Sequence, residues 1–188
     1  ALPSRYILSL ATIERKKGLD VLLDAFLRIA ARFPEHHLVI AGRVAESDYL
    51  ERLLATRSQS QHASRILVLT DLPHEYAIQT LARADALVLA SRREPFGIVV
   101  LEAGVLAVPV VATTVCGVVH CLSDEPGLRT VPPDDPERLA EVLDKLLSTP
   151  DQAANMARQL CRRVSDQFSW ERVALQYEAP AAASFRGT

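Results

Sequence analysis

The chain has 188 residues, 49% apolar and 23% charged, the proportions of an ordinary globular domain with room for a core. Lys and Arg number 21 against 23 Asp and Glu, a formal charge of -2, which argues against a generally basic nucleic-acid module. Three cysteines without a C-x-x-C disfavour a disulfide framework or zinc site and fit a reducing, cytoplasmic setting.

Residues 5–11 (RYILSLA) read as a short buried strand, with no signal peptide before it. Residues 17–33 carry Leu19, Leu22, Leu23, Phe26, Leu27 and Ala30 at helical spacing, and Pro34 ends the run. A second strand is expected at 37–41, a helix at 46–57 and a third strand at 65–70. Residues 73–84 form a helix that opens on Pro73 with Glu75 close by. Strand 85–90, helix 96–107 and strand 109–113 follow. The apolar stretch of 98–111 is interrupted by Glu102, Gly104 and Pro109, so no transmembrane segment is expected. A sixth strand at 128–131 and helices at 134–147, 150–168 and 169–178 complete the domain, with 179–188 as a frayed tail.

Apolar strands that alternate with helices imply a parallel sheet covered on both faces. The expected fold is α/β, a doubly wound sheet of about six strands in the order 3-2-1-4-5-6. In such sheets ligands bind beyond the carboxyl ends of the strands, where the order reverses. That places residues 12–18 (TIERKKG) and 91–97 (SRREPFG) around a crevice. Arg15, Lys16, Lys17, Arg92 and Arg93 bring five positive charges to it against Glu14 and Glu94. Each loop also feeds a helix N-terminus, whose free N–H groups favour an anion. Each basic residue taken singly reads better as a solvated loop charge, but the two loops together, at the switch point, favour an anionic ligand.

Glu102 lies in an apolar helix, IVVLEAGVLA. A carboxylate there needs either an Arg or Lys partner or access to a wet cleft. Glu94, eight positions upstream, is placed to face the same cleft. Two carboxylates also suit acid/base hydrolysis, but no nucleophile signature accompanies them. The low glycine count of 7 excludes only a Gly-rich phosphate loop.

The stretch EPFGIVVLEAGVLAVPVVAT resembles the E-x7-E signature of retaining GT-B glycosyltransferases, the large family of sucrose synthases and many bacterial lipid and polysaccharide glycosyltransferases. The resemblance continues through ERKKGLDVLLDAF, HHLVIAG, RILVLTDLPHEYAIQTLARADALVLASRREPFG, LRTVPPDDPERLAEVLDKLL and FSWERVALQYE. It implies the C-terminal, Rossmann-like, donor-binding half of a two-domain enzyme, over residues 1–178. The N-terminal acceptor domain would lie outside the chain, and any membrane contact would come through it. By the same resemblance Glu102 binds the ribose hydroxyls of a nucleotide-diphosphate sugar, and Glu94 holds the donor sugar. Phe96, Gly97 and Ile98 offer backbone N–H groups to the sugar and distal phosphate. Lys17 neutralises the departing diphosphate. Gly42 and residues 70–72, with Leu72, lie by the nucleobase. Neither cofactor nor metal is implied.

Two departures from the family pattern stand out. The Arg usual five positions before the lysine is Thr12 here, with Arg15 or Lys16 as possible substitutes. The G-G-x-x-E loop after the fifth strand reads Cys116-Gly117-Val118-Val119-His120. Cys116 and Cys121 are expected to be small apolar fillers, and His120 a surface or structural residue. The alternative to an enzyme is a degenerate module of the same fold that binds a nucleotide or a partner without transfer. A sugar-nucleotide epimerase or a phosphorylase is a third reading, though no cofactor lysine in a phosphorylase context is visible.

Overall fold

Near-continuous apolar runs become strands that are buried on both faces. A computed structural model describes residues 2–122 and 127–168. Its strands are β1 (Tyr6–Leu10), β2 (His37–Gly42), β3 (Ile66–Thr70), β4 (Ala86–Leu89), β5 (Val110–Thr113) and β6 (Leu128–Val131). They form one parallel sheet in the order β3-β2-β1-β4-β5-β6. The order reverses between β1 and β4, as the alternation of elements predicts.

The helices are α1 (Leu19–Ile29), α2 (Ser47–Gln59), α3 (His74–Ala82), α4 (Ile98–Val105), α5 (Gly117–Cys121), α6 (Pro136–Ser148) and α7 (Pro150–Gln167). Side-chain alternation along the strands separates two cores. On one face Ile7, Ile13, Leu38, Ile40, Val88 and Val111 pack with Phe26 of α1 and Leu143 of α6. On the other, Leu8, Val39, Ala41, Leu87, Leu89 and Val110 pack with Leu81 of α3, Val100 of α4 and Leu160 of α7. Each fully buried Leu or Val of these layers contributes roughly 1.5–3 kcal/mol of transfer free energy. Among the described residues no helix is long and apolar enough to cross a membrane.

Several boundaries differ from the sequence expectation. The helix expected over 17–33 is divided, with a 3-10 turn at Arg15–Lys17 and α1 starting only at Leu19. Gly18 between them has φ +61°, which an α-helix cannot contain. The helix expected over 96–107 is trimmed to α4, between Gly97 at φ +90° and Ala107 at φ +53°. The 3-10 turn Ala63–Arg65 and the short α5 have no periodic apolar run to announce them. The helix expected over 169–178 lies outside the described residues.

Candidate functional site

The carboxyl ends of β1, β2, β4 and β5 are stitched together through their loops. The Arg92 and Arg93 N–H groups donate to the Lys16 carbonyl at 2.8 and 3.3 Å. The Gly117 N–H donates to the Glu94 carbonyl at 3.2 Å, and Thr113 Oγ1 to the Ser91 carbonyl at 2.7 Å. Gly18 makes the approach of the β1 and β4 loops possible: a Cβ there would sit 2.1 Å from the Ala90 carbonyl oxygen.

Lys17 and Glu94 meet across this seam. Lys17 Nζ donates to Glu94 Oε2 at 2.6 Å, and the side chains are only 14% and 11% exposed. The pair joins the two loops that the topology brings to the switch point.

The turn 96–98 is built to present backbone. The Phe96 carbonyl accepts from the Val118 N–H at 2.8 Å and from Cys116 Sγ at 3.1 Å, so it points toward α5. In a trans peptide the next N–H points the opposite way, so Gly97 N–H is turned away from α5. It joins the first N–H groups of α4, which have no partner within the helix. Phe96 and Ile98 are exposed at the rim, and Gly97 is buried. Cys116 is a buried filler whose thiol is pushed up by burial. Cys121 is exposed, which corrects the expectation that it fills the interior: it ends α5 on the solvent side. His120 is exposed, as expected.

Glu102 sits one turn into α4 and is half-buried. Among the described residues no hydrogen bond or ion pair reaches its carboxylate. Among the described residues the ion-paired alternative finds no partner, since no Arg or Lys there forms a salt bridge with Glu102. Thr12 and Gly42 lie on adjacent strand ends, and a Cβ on Gly42 would be 3.4 Å from Thr12 N. Leu72 is half-buried against the α4-side core. All nine residues thus fall toward the carboxyl edge of the sheet, and of these Lys17 and Glu94 are joined by a side-chain hydrogen bond.

The basic loops are less positive than their composition suggests. Arg15 is held by Glu46, the N-cap residue of α2, and by Asp48 in its first turn, and Lys16 pairs with Glu14 at 3.1 Å. Arg92 makes two bonds of 2.9 Å to Asp20, one of 2.6 Å to Asp134 and one of 2.7 Å to the Arg15 carbonyl. Asp20 also accepts from Tyr49 Oη at 2.6 Å. Burial alone would push the Asp20 carboxyl up, but the bonds from Arg92 and Tyr49 bring it below its ordinary value. Arg92 is held above its own, chiefly by the hydrogen bond to Asp20. Asp20, Asp48, Glu46 and Asp134 come from separate elements and carry no local signal that would pair them with these arginines. Neither Arg15 nor Lys16 is available to replace the cation absent at Thr12. Among the described residues no three His, Cys, Asp or Glu side chains group to hold a metal ion.

The family described as "Glycosyl transferases group 1" matches residues 2–161. Glycogen synthase of Mycobacterium tuberculosis is 30% identical over 181 residues, covering 96% of this chain and 43% of the relative. The chain thus spans about two-fifths of the length of the curated relatives it matches. Among solved structures, Anabaena HepE in complex with UDP superimposes with a TM-score of 0.87 at 20% identity, over 96% of this chain and 49% of that one. The C-terminal domain of a group 1 glycosyl transferase from Francisella tularensis superimposes with a TM-score of 0.82 at 22% identity. That match covers 90% of this chain and 89% of the other.

Proposed function

Since the chain belongs to the group 1 glycosyltransferases, we propose that it is the C-terminal, donor-binding half of a retaining enzyme that transfers a sugar from a nucleotide-diphosphate sugar. The observation that carries the reading is the Lys17–Glu94 pair at the mouth of α4, set where two loops and a helix N-terminus converge. In this reading Glu102 accepts from the ribose hydroxyls, a diol that suits an unpartnered carboxylate. Leu72 and Gly42 border the base. Glu94 holds sugar hydroxyls, while Gly97 and Ile98 offer N–H groups to the sugar and distal phosphate. Thr12 offers a hydroxyl. Anabaena HepE, which shares this fold, is in complex with UDP, which supports a nucleotide ligand.

The bond from the anomeric carbon to the diphosphate breaks, and negative charge grows on the leaving oxygen. Lys17 and the positive end of α4 stabilise that charge as it develops. Configuration at the anomeric carbon is kept, and the acceptor hydroxyl passes its proton to the departing diphosphate oxygen as the new glycosidic bond forms. The acceptor is held by an N-terminal domain beyond this chain. Without that domain the reactants are not positioned together, so the 188 residues alone transfer negligibly. Neutralisation by Lys17 and the helix end requires no metal, so a chelator leaves nucleotide affinity unchanged.

Calorimetric titration with UDP, GDP and ADP tests the reading. At least one binds, and Glu102→Ala weakens it about tenfold or more with little change in melting temperature. No binding by any of the three, or an indifferent Glu102→Ala, removes the donor site.

A second reading, a nucleotide-binding module without transfer, is favoured by one observation: Thr12 has no charge, and Arg15 is held by Glu46 and Asp48. Donor turnover by the full-length protein, measured as nucleoside diphosphate release, separates the two. Binding without release leaves the module.

A further inference from the structure

We propose that Arg43 supplies the second cation of the diphosphate site, in place of the charge that Thr12 lacks; the inference rests on the donor-site reading above. Strand register sets Arg43 beside Thr12. Leu10 of β1 lies opposite Ala41 of β2. Past the regular strands Ile13 is bridged to Val44 in the same parallel sense. Two residues intervene on each chain, so Thr12 lies opposite Arg43. The hydrogen bonds agree: Ile13 N donates to the Arg43 carbonyl at 2.8 Å, and Ala45 N to the Ile13 carbonyl at 3.1 Å.

Opposed residues on parallel neighbours share a face of the sheet, and alternation along each strand says which one. Leu10 and Ala41 belong to the core on the α4 face. Ile13 and Val44 belong to the core on the α1 face. One residue before Ile13 and Val44, Thr12 and Arg43 return to the α4 face. That is the face of Glu102 and of the 96–98 turn. Strands lie about 4.8 Å apart, so a long side chain at 43 covers the space that one at 12 would fill.

Charge accounting singles out the same residue. Arg15, Lys16, Lys17 and Arg92 each have a carboxylate partner. Arg43 is exposed, and among the described residues its side chain makes no hydrogen bond or ion pair. An arginine suits this task because its planar guanidinium donates to two phosphate oxygens at once. Arg93 is the other exposed cation near the seam without a carboxylate partner among the described residues, but it lies on the β4 loop, and no strand register sets it opposite Thr12.

Calorimetry on the chain compares nucleoside diphosphates with the corresponding monophosphates. Arg43→Gln lowers diphosphate affinity about tenfold and monophosphate affinity much less. Arg43→Lys keeps part of it. Adding Thr12→Arg to Arg43→Gln restores it, because the two positions face the same phosphates. Melting temperatures stay within a degree or two, since Arg43 has no structural partner among the described residues. An unchanged Arg43→Gln, a loss carried by Arg93→Gln instead, or no rescue by Thr12→Arg overturns the assignment while the donor site stands. Failure of the parent chain to bind any nucleoside diphosphate overturns both.

Discussion

Lys17 Nζ lies 2.6 Å from Glu94 Oε2, and the bond spans 77 positions of sequence to join the β1 and β4 loops. With 14% and 11% of the side chains exposed, each charge depends on the other for solvation. Removing one partner of such a pair leaves an uncompensated charge. Lys17→Met and Glu94→Gln should each cost about 2 kcal/mol of stability, and the double substitution less than their sum. A urea double-mutant cycle measures the difference as a coupling of about 1–2 kcal/mol. Additive effects would mean that the pair does not hold the seam together.

The site also rests on a contact between Gly97 and Cys116. Gly97 has φ +90°, and a Cβ there would lie 2.5 Å from Cys116 Sγ. Gly97→Ala therefore meets both backbone strain and a collision. The strain alone costs about 1–3 kcal/mol. Cys116→Gly removes the collision and leaves the strain, so the double variant should melt above Gly97→Ala and below the parent. A double variant no more stable than Gly97→Ala would show that the sulfur is not the obstacle.

Strand order and the switch point were readable because apolar runs and helical periods alternate from Tyr6 to Thr113. Lys17 and Glu94 were readable as neighbours because topology alone brings their loops to one edge. The net charge of that edge was not. Glu46, Asp48, Asp20 and Asp134 neutralise Arg15 and Arg92 from elements far along the chain, and no periodicity encodes such pairings. The juxtaposition of Thr12 and Arg43 is a fact of register, which hydrophobic alternation leaves undetermined by steps of two residues. Cys121 was misplaced for a similar reason: a five-residue helix has too little pattern to show which side faces inward.

Arg92 ties the β4 loop to α1, to the Arg15 carbonyl and to Asp134. Arg92→Lys keeps the charge but cannot make the forked contact to Asp20. It should cost about 1–2 kcal/mol at pH 7. Asp20 supplies the pH dependence. Its folded pKa is lowered from 3.8, so its contribution is present above that value and is lost as pH falls through the folded one. The gap in urea stability between parent and Arg92→Lys should accordingly narrow between pH 5 and pH 3. A gap independent of pH would locate the loss elsewhere than the Asp20 contact.

At the opposite end of the sheet His36 predicts a second, higher pH window. It is buried, and its Nε2 has no hydrogen-bond partner among the described residues; Asp85 Oδ2 is 3.6 Å away. Burial pushes the imidazole below its ordinary 6.5, against a weaker upward pull from Asp85, with smaller effects from Arg5, Glu35 and His37. The unfolded chain therefore takes up the proton first as pH falls. Stability is full above 6.5 and declines below it, until the folded state is protonated too. For one proton the slope reaches at most about 1.4 kcal/mol per pH unit. Urea midpoints between pH 7.5 and pH 5 should fall in the parent and fall less in His36→Gln. Equal slopes in the two proteins would assign the acid sensitivity to other groups.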